Sequence, residues 1–199
     1  MPKKVDHDQR KQKVAEACWR TIRNEGISGA TVRKVSHEAG LSAGAMRHYF
    51  NSQEDLLLFS MKLVIDRIEG RFQKLTFSGT PVERSVQLLS QFLPLNKEQR
   101  LEMEVWYAFT AGVIHRPVFR SLCDEMDDKL RLACSIVIDR LSGSGLISRA
   151  INRRLETERL YALLDGLAVH GLLRPDRLTP ETMVSLLRYH IAQLCGSAG

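Results

Sequence analysis

TVRKVSHEAGLSAGAMRHYFNSQEDLLLF (Thr31–Phe59) is the stretch on which the fold turns. Thr31 and Ser42 stand where helix N-caps belong, because a short hydroxyl side chain accepts a hydrogen bond from an orphan amide of the first turn. A short helix follows Thr31 as far as Ala39, with Val32, Val35 and Ala39 on its inner side. Gly40 supplies the break. Ser42 then opens a second short helix, Ala43–Tyr49. Asn51 and Ser52 form another break, and Ser52 caps a long helix with Asp55 at its third position, close to a capping box. Two helices of ~10–13 Å, at ~1.5 Å per residue, do not stand alone in water. They must lean on the helix before them, through Ile27, Val32, Val35, Ala39, Leu41, Met46 and Phe50.

A short helix held out in this way matches the ~12 Å width of the DNA major groove. Its outward residues are Ala43, Gly44, Arg47 and His48. Small residues at its start let the backbone come close to bases. Arg47 is able to fork onto a guanine, and His48 to reach a base or a phosphate. A helical hairpin that merely stabilises a core has the same outline, so the charge distribution matters. Residues 1–52 hold ten Lys/Arg against five acids, a net +5. The remaining 147 residues hold 19 basic and 18 acidic residues, a net +1. The whole-chain excess of +6 therefore sits almost entirely in the first quarter, as expected of a polyanion-binding module joined to a near-neutral body.

The remainder of the chain reads as helix throughout, with apolar residues three and four apart and no alternating strand pattern. A first helix is expected from about Gln9 to Glu25, carrying Val14, Ala17, Cys18 and Ile22, with Gly26 as its C-cap. The fourth, opened by Ser52, runs through Arg67 and Phe72 to about Leu75. FSGTP (Phe77–Pro81) is a linker. Further helices are expected over Val82–Phe92, Glu98–His115, Val118–Leu141, Leu155–Leu173 and Thr179–Leu194. That makes nine helices in an all-α chain: a three-helix helix-turn-helix domain over residues 1–52 and a ligand-sensing and dimerisation domain over 53–199.

The Thr31–Phe59 stretch resembles the DNA-binding segment of the TetR family of bacterial regulators. The matching elements are Thr31 with Arg33, Ala39-Gly40-Leu41-Ser42, Gly44, Tyr49-Phe50, Ser52 and Leu56-Leu57. The nine-helix layout is similar too. MRHYFNSQEDLLLF and the segment from Trp106 to Pro117 look closest to the BetI branch, whose members respond to choline. The resemblance implies a dimeric repressor on a palindromic operator, released by a small molecule, in a bacterial cytoplasm. It implies phosphate contacts for Thr31, Arg33 and Tyr49, and a groove face of Ser42, Ala43, Gly44, Arg47 and His48. Two positions depart from the family pattern. Arg47 stands where an aromatic is usual, adding a polar contact. Gln53 stands where a Lys usually opens helix four, removing a charged phosphate anchor.

The candidate effector residues are Phe92, Met103, Trp106, Tyr107, Thr110, Met126 and His170. Aromatics with a few polar tips suit an amphipathic or aromatic ligand, and Trp106-Tyr107 could face a quaternary ammonium. The same aromatic stripe also suits a plain core, and His115 and His170 suit satisfied structural histidines. The candidate dimer residues are Leu160, Leu164, Leu167 and Gly171 on helix eight with Met183, Leu187 and Ile191 on helix nine. Two such helices from each chain make a four-helix bundle. The alternative is that both faces are buried within one chain.

Other function classes find little support. Cys18, Cys123, Cys134 and Cys195 lack metal-ligand spacing, and the apolar helical patterns around the first three suit free thiols in a reducing cytosol. Neither a nucleophile elbow, nor a phosphate-binding glycine loop, nor HExxH is present, so no catalytic residue, metal or cofactor is expected. The beginning, MPKKVDHDQRKQ, has no apolar core of a signal peptide, and Leu56–Ile65, the longest apolar run, is too short to cross a bilayer. An architectural DNA binder of the same fold, without a ligand, remains the second reading.

Overall fold

A computed structural model describes residues 2–113, 116–148 and 150–196, with side chains from His7 onward. Nine α-helices and no strand occur among them: α1 (Pro2–Gly29), α2 (Val32–Glu38), α3 (Ala43–Met46), α4 (Gln53–Lys74), α5 (Pro81–Leu89), α6 (Lys97–Gly112), α7 (Arg120–Gly143), α8 (Arg153–Leu173) and α9 (Pro180–Gly196). Ser90–Phe92 and Pro117–Phe119 are single 3-10 turns. His115 lies outside the described residues.

The helix ends differ from expectation in places with physical causes. The start of α1 lies seven residues earlier, because the polar helix formers of its first turns carry no apolar stripe. Gly26 does break it, at φ +73°, but one further turn follows to Gly29. On α5, Pro81 takes the first turn, and Thr80 and Glu83 form a full capping box, with N···O distances of 2.7 and 3.3 Å. Pro117 opens a 3-10 turn rather than α7 itself.

The chain divides into two compact units. The first is Met1–Arg67 with Glu104–Cys123. Its centre is Trp19, fully buried, whose indole N–H donates to the Ser60 carbonyl at 2.9 Å. Arg67 lies over the Trp19 ring at 4.7 Å and pairs with Glu16. Phe109 meets Phe119 edge-on, with centroids 5.0 Å apart. Trp19 and Arg67 tie α1, on which α2 packs, to the first two-thirds of α4, which is why the unit extends past the expected boundary at Ser52.

The second unit is Ile68–Met103 with Asp124–Gly199. Arg100 donates to the carbonyls of Gly171 and Leu172 at the end of α8, at 3.1 and 2.8 Å. Arg131 joins α7 to α8: it pairs with Asp127 and Glu158 and lies 4.3 Å over the Tyr161 ring. Arg71, in the last turns of α4, donates to Glu102 at 2.7 Å, and Glu102 is only 1% exposed. Glu102→Gln leaves the Arg71 charge half-answered. It is expected to lower stability by roughly 3 kcal/mol, the low end for breaking a buried pair, because Arg71 keeps solvent contact. Urea denaturation checks this, and a change below ~1 kcal/mol would show that solvent already screens the pair.

The seven residues expected to form a dimer face are buried inside this unit instead. Leu160, Leu164, Leu167, Met183, Leu187 and Ile191 are each at most 5% exposed in the single chain, and Gly171 is buried with them. A Cβ on Gly171 would sit 2.6 Å from Met183 Sδ, so the small residue admits α9 of its own chain. The stripe is the seam between α8, α9 and the rest of the unit. The large apolar residues these helices leave exposed are Leu155, Leu173, Leu186 and Tyr189.

Candidate nucleic-acid interface

Within the first unit, α2 and α3 are set by their caps. Thr31 Oγ1 accepts from the Lys34 amide at 3.3 Å, and Ser42 Oγ from the Ala45 amide at 3.1 Å. Each hydroxyl spends a lone pair on its own helix and keeps its O–H as a donor. Gly40 adopts φ +67°, the left-handed conformation that turns α2 into α3, and the Leu41 amide bonds back to Ser36 at 2.8 Å. Val35 and Met46 are fully buried and Phe50 nearly so; they hold the pair against the unit.

The α-helical part of α3 is shorter than expected. Only Ala43–Met46 is α-helix, and from Arg47 to Tyr49 each amide bonds three residues back, at 3.2, 3.1 and 2.9 Å. The chain tightens there because the Tyr49 and Phe50 amides share the Met46 carbonyl, which buries Phe50. The expected outward face survives the change. Arg33, Ser42, Ala43, Gly44, Arg47 and His48 are all exposed, and Thr31 and Tyr49 are half-buried.

Other cations of this unit are partly used up inside it. Lys34 pairs with Glu25 and Arg20 with Glu38. Lys11 stands over the rings of Phe50 and Phe59, at 5.1 and 4.5 Å. Gln53 is half-buried and its amide donates to the Ala30 carbonyl at 3.0 Å, so its side chain fastens the start of α4 to the turn before α2 rather than standing free. One contributor was not expected from sequence. His7 stacks on Tyr49, with centroids 5.1 Å apart, and its Nε2 lies 3.4 Å from the His48 carbonyl. No spacing rule links residue 7 to residue 49; only the early start of α1 brings them together.

The candidate effector residues are divided between the two units. Trp106, Tyr107 and Thr110 belong to the first unit; Phe92, Met103, Met126 and His170 belong to the second. Phe92, Met103 and Met126 are buried, and Phe92 packs on Phe72 at 5.2 Å. Thr110 and His170 are exposed, and the Thr110 hydroxyl donates to the Trp106 carbonyl at 3.0 Å. The first unit does carry an open groove of about 570 Å³, between Ser52–Glu54 at the head of α4 and Arg116–Phe119. None of the seven lines it.

Burial pushes the Cys18 thiol up to about 11 and the Cys134 thiol to about 12, so both stay protonated at neutral pH and act as small apolar groups. Among the described residues no three of His, Cys, Asp and Glu gather as a metal set, and no helix is long and apolar enough to cross a membrane.

Residues 15–58 match the sequence model for bacterial regulatory proteins of the TetR family, and residues 81–196 match that of the C-terminal domain of BetI-type transcriptional repressors. The HTH-type transcriptional regulator PksA of Bacillus subtilis (strain 168) is 39% identical over 196 residues, covering 98% of this chain and 94% of that protein. In three dimensions, a transcriptional regulator from Rhodococcus sp. Rha1 superposes with a TM-score of 0.79 at 25% identity, over 94% of this chain and 96% of its own. A transcriptional regulator from Saccharomonospora viridis, solved in complex with choline, gives 0.77 at 24% identity, over 92% and 96%.

Proposed function

Because this chain belongs to the TetR family of bacterial regulatory proteins, a family of transcription regulators rather than enzymes, we propose that it is a cytoplasmic repressor. It acts as a homodimer on a palindromic duplex operator and is released by a small molecule. The observation that carries this reading is the exposed face formed by α3 and the turn after it: Ala43, Gly44, Arg47 and His48 are exposed while Met46 is fully buried. Ala43 and Gly44 permit close approach to base edges, and Arg47 supplies a fork for guanine. Ser42 opens that face, and Thr31, Arg33 and Tyr49 flank it with donors suited to phosphates.

Two such faces read two half-sites ~34–36 Å apart when the chain pairs with a copy of itself. The exposed Leu155, Leu173, Leu186 and Tyr189 of α8 and α9 are the apolar surface available for that pairing. The repressor reading is supported by the BetI-type repressor domain over residues 81–196. The effector is an amphipathic or cationic small molecule; the choline held by the Saccharomonospora viridis protein is one example of the class. It acts by binding the DNA-free conformation more tightly than the DNA-bound one. Helix α4, 22 residues and ~33 Å long at ~1.5 Å per residue, contributes to both units and is the element able to carry that difference.

Selection of bound sequences from a random duplex library tests the reading; no enriched palindrome overturns it. On the selected operator, Arg47→Ala is expected to cost roughly 1–3 kcal/mol in a mobility shift and to relax preference at one base position. Equal weakening on random DNA would reassign Arg47 to the phosphate backbone.

A further inference from the structure

In the second unit, α5 and the end of α7 enclose a groove of about 250 Å³. Pro81, Arg84, Ser85 and Leu88 face it at helical spacing from α5; Val137, Arg140 and Ser144 do so from α7 and the residue just past it. Its floor is apolar: Val137 is 1% and Leu88 8% exposed. Its rim carries two arginines, both exposed, in a part of the chain whose overall charge is close to neutral.

These arginines are not answered by acids. Among the described residues Arg84 gives its Nε–H to the Gly79 carbonyl at 3.0 Å, which leaves the four terminal N–H groups of its guanidinium. Arg140 is in no described ion pair. The neighbouring carboxylates are taken: Glu83 closes the capping box with Thr80 and faces Arg188 at 4.0 Å, and Asp139 faces Arg153 at 3.3 Å. The capping box also depresses the Glu83 carboxyl below its ordinary value, through the Thr80 backbone amide first. A basic residue in the last turn of α7 would offset the helix dipole wherever it pointed, which accounts for Arg140 in part. It does not account for Arg84, on the facing helix, lining the same groove.

We infer that this groove is a binding site for a small organic anion: a carboxylate or phosphate held between Arg84 and Arg140, with a short apolar body on Leu88 and Val137. Planar guanidinium groups fork onto such oxygens and hold them by charge-assisted hydrogen bonds. The volume is below the ~300–1,000 Å³ of sites for drug-sized ligands, so the occupant is small. This site is separate from the DNA-facing surface, and the inference stands whether or not the chain proves to be a repressor.

Isothermal titration of the full-length protein with hexanoate is the test, with acetate, inorganic phosphate and hexylammonium as the other arms. Hexanoate is expected to bind saturably, acetate more weakly because it lacks the apolar body, and hexylammonium not at all. Inorganic phosphate matching hexanoate would identify an anion site that ignores the floor and would overturn the assignment of Leu88 and Val137. Arg84→Gln and Arg140→Gln are each expected to weaken hexanoate about tenfold, the loss of one charge-assisted contact. Both side chains are exposed, so the variants fold; unchanged circular dichroism melting confirms it. Saturable binding unaffected in the Arg84→Gln/Arg140→Gln double variant, or no saturable binding by the wild type, overturns the inference.

Discussion

Trp19→Ala is expected to lower the stability of the first unit by about 3–5 kcal/mol, the range for removing a large aromatic from a packed core. The indole is 0% exposed, so its whole area returns a void rather than a solvated dent. Two further losses act in the same direction. The Ser60 carbonyl, buried on α4, gives up the only partner described for it outside its own helix. Arg67 loses the ring it lies on while keeping its carboxylate, Glu16. Since Trp19 on α1 joins α4 to the helices that carry Arg47, operator binding should fall together with stability. Trp19→Phe separates the contributions: it restores most of the volume, leaves the Ser60 carbonyl with only its intrahelical bond, and is expected to cost about 1–3 kcal/mol. Denaturant midpoints followed by far-UV circular dichroism give both numbers. A loss under ~1 kcal/mol for the alanine variant would mean that the site collapses around the missing ring.

Operator affinity should fall about tenfold between 50 and 200 mM salt. Of the phosphate contacts proposed for Thr31, Arg33 and Tyr49, only that of Arg33 carries a charge able to displace counterions, so two copies neutralise about two phosphates. A slope of ~0.9 per neutralised phosphate on a log–log plot then predicts a loss of about tenfold over that range. The +5 charge of residues 1–52 would suggest a steeper dependence, but much of it is committed within the unit: Lys11 to two aromatic rings, Lys34 to Glu25, Arg20 to Glu38. Fluorescence anisotropy across a salt series measures the slope. A slope near zero would mean that Arg33 meets no phosphate, whereas one near −10 would bring those committed cations onto the DNA.

The reading elements were legible because their signals are local. Thr31, Ser42 and Ser52 act as caps over three residues, and Gly40 marks its turn by its own backbone conformation. What escaped is what locality cannot carry. His7 reaches Tyr49 across more than forty residues. The leucines of α8 and α9 advertise that a face is buried without saying by which chain, and Gly171 fits against Met183 just as it would against a copy of itself. Gln53 reads in the sequence as the loss of a charged phosphate anchor, and nothing local tells that its amide donates to the Ala30 carbonyl. Trp106, Tyr107 and Thr110 share a helix with Met103, yet the compact units divide between Met103 and Glu104, and no helical periodicity marks such a division.

The composition of the first unit bears on how regulators of this kind can be recombined. Glu104–Cys123 belongs with the reading helices, and Gly112 lies close enough to Ile27 that an added methyl would touch it at 3.7 Å. A chimaera spliced after residue 67 would therefore take most of a packed interior from one parent and the rest from the other, with a foreign strip set against Ile27. Breakpoints that exchange 1–67 and 104–123 as a matched set keep that interior from one ancestor, so new operator specificities should be transplanted as two segments.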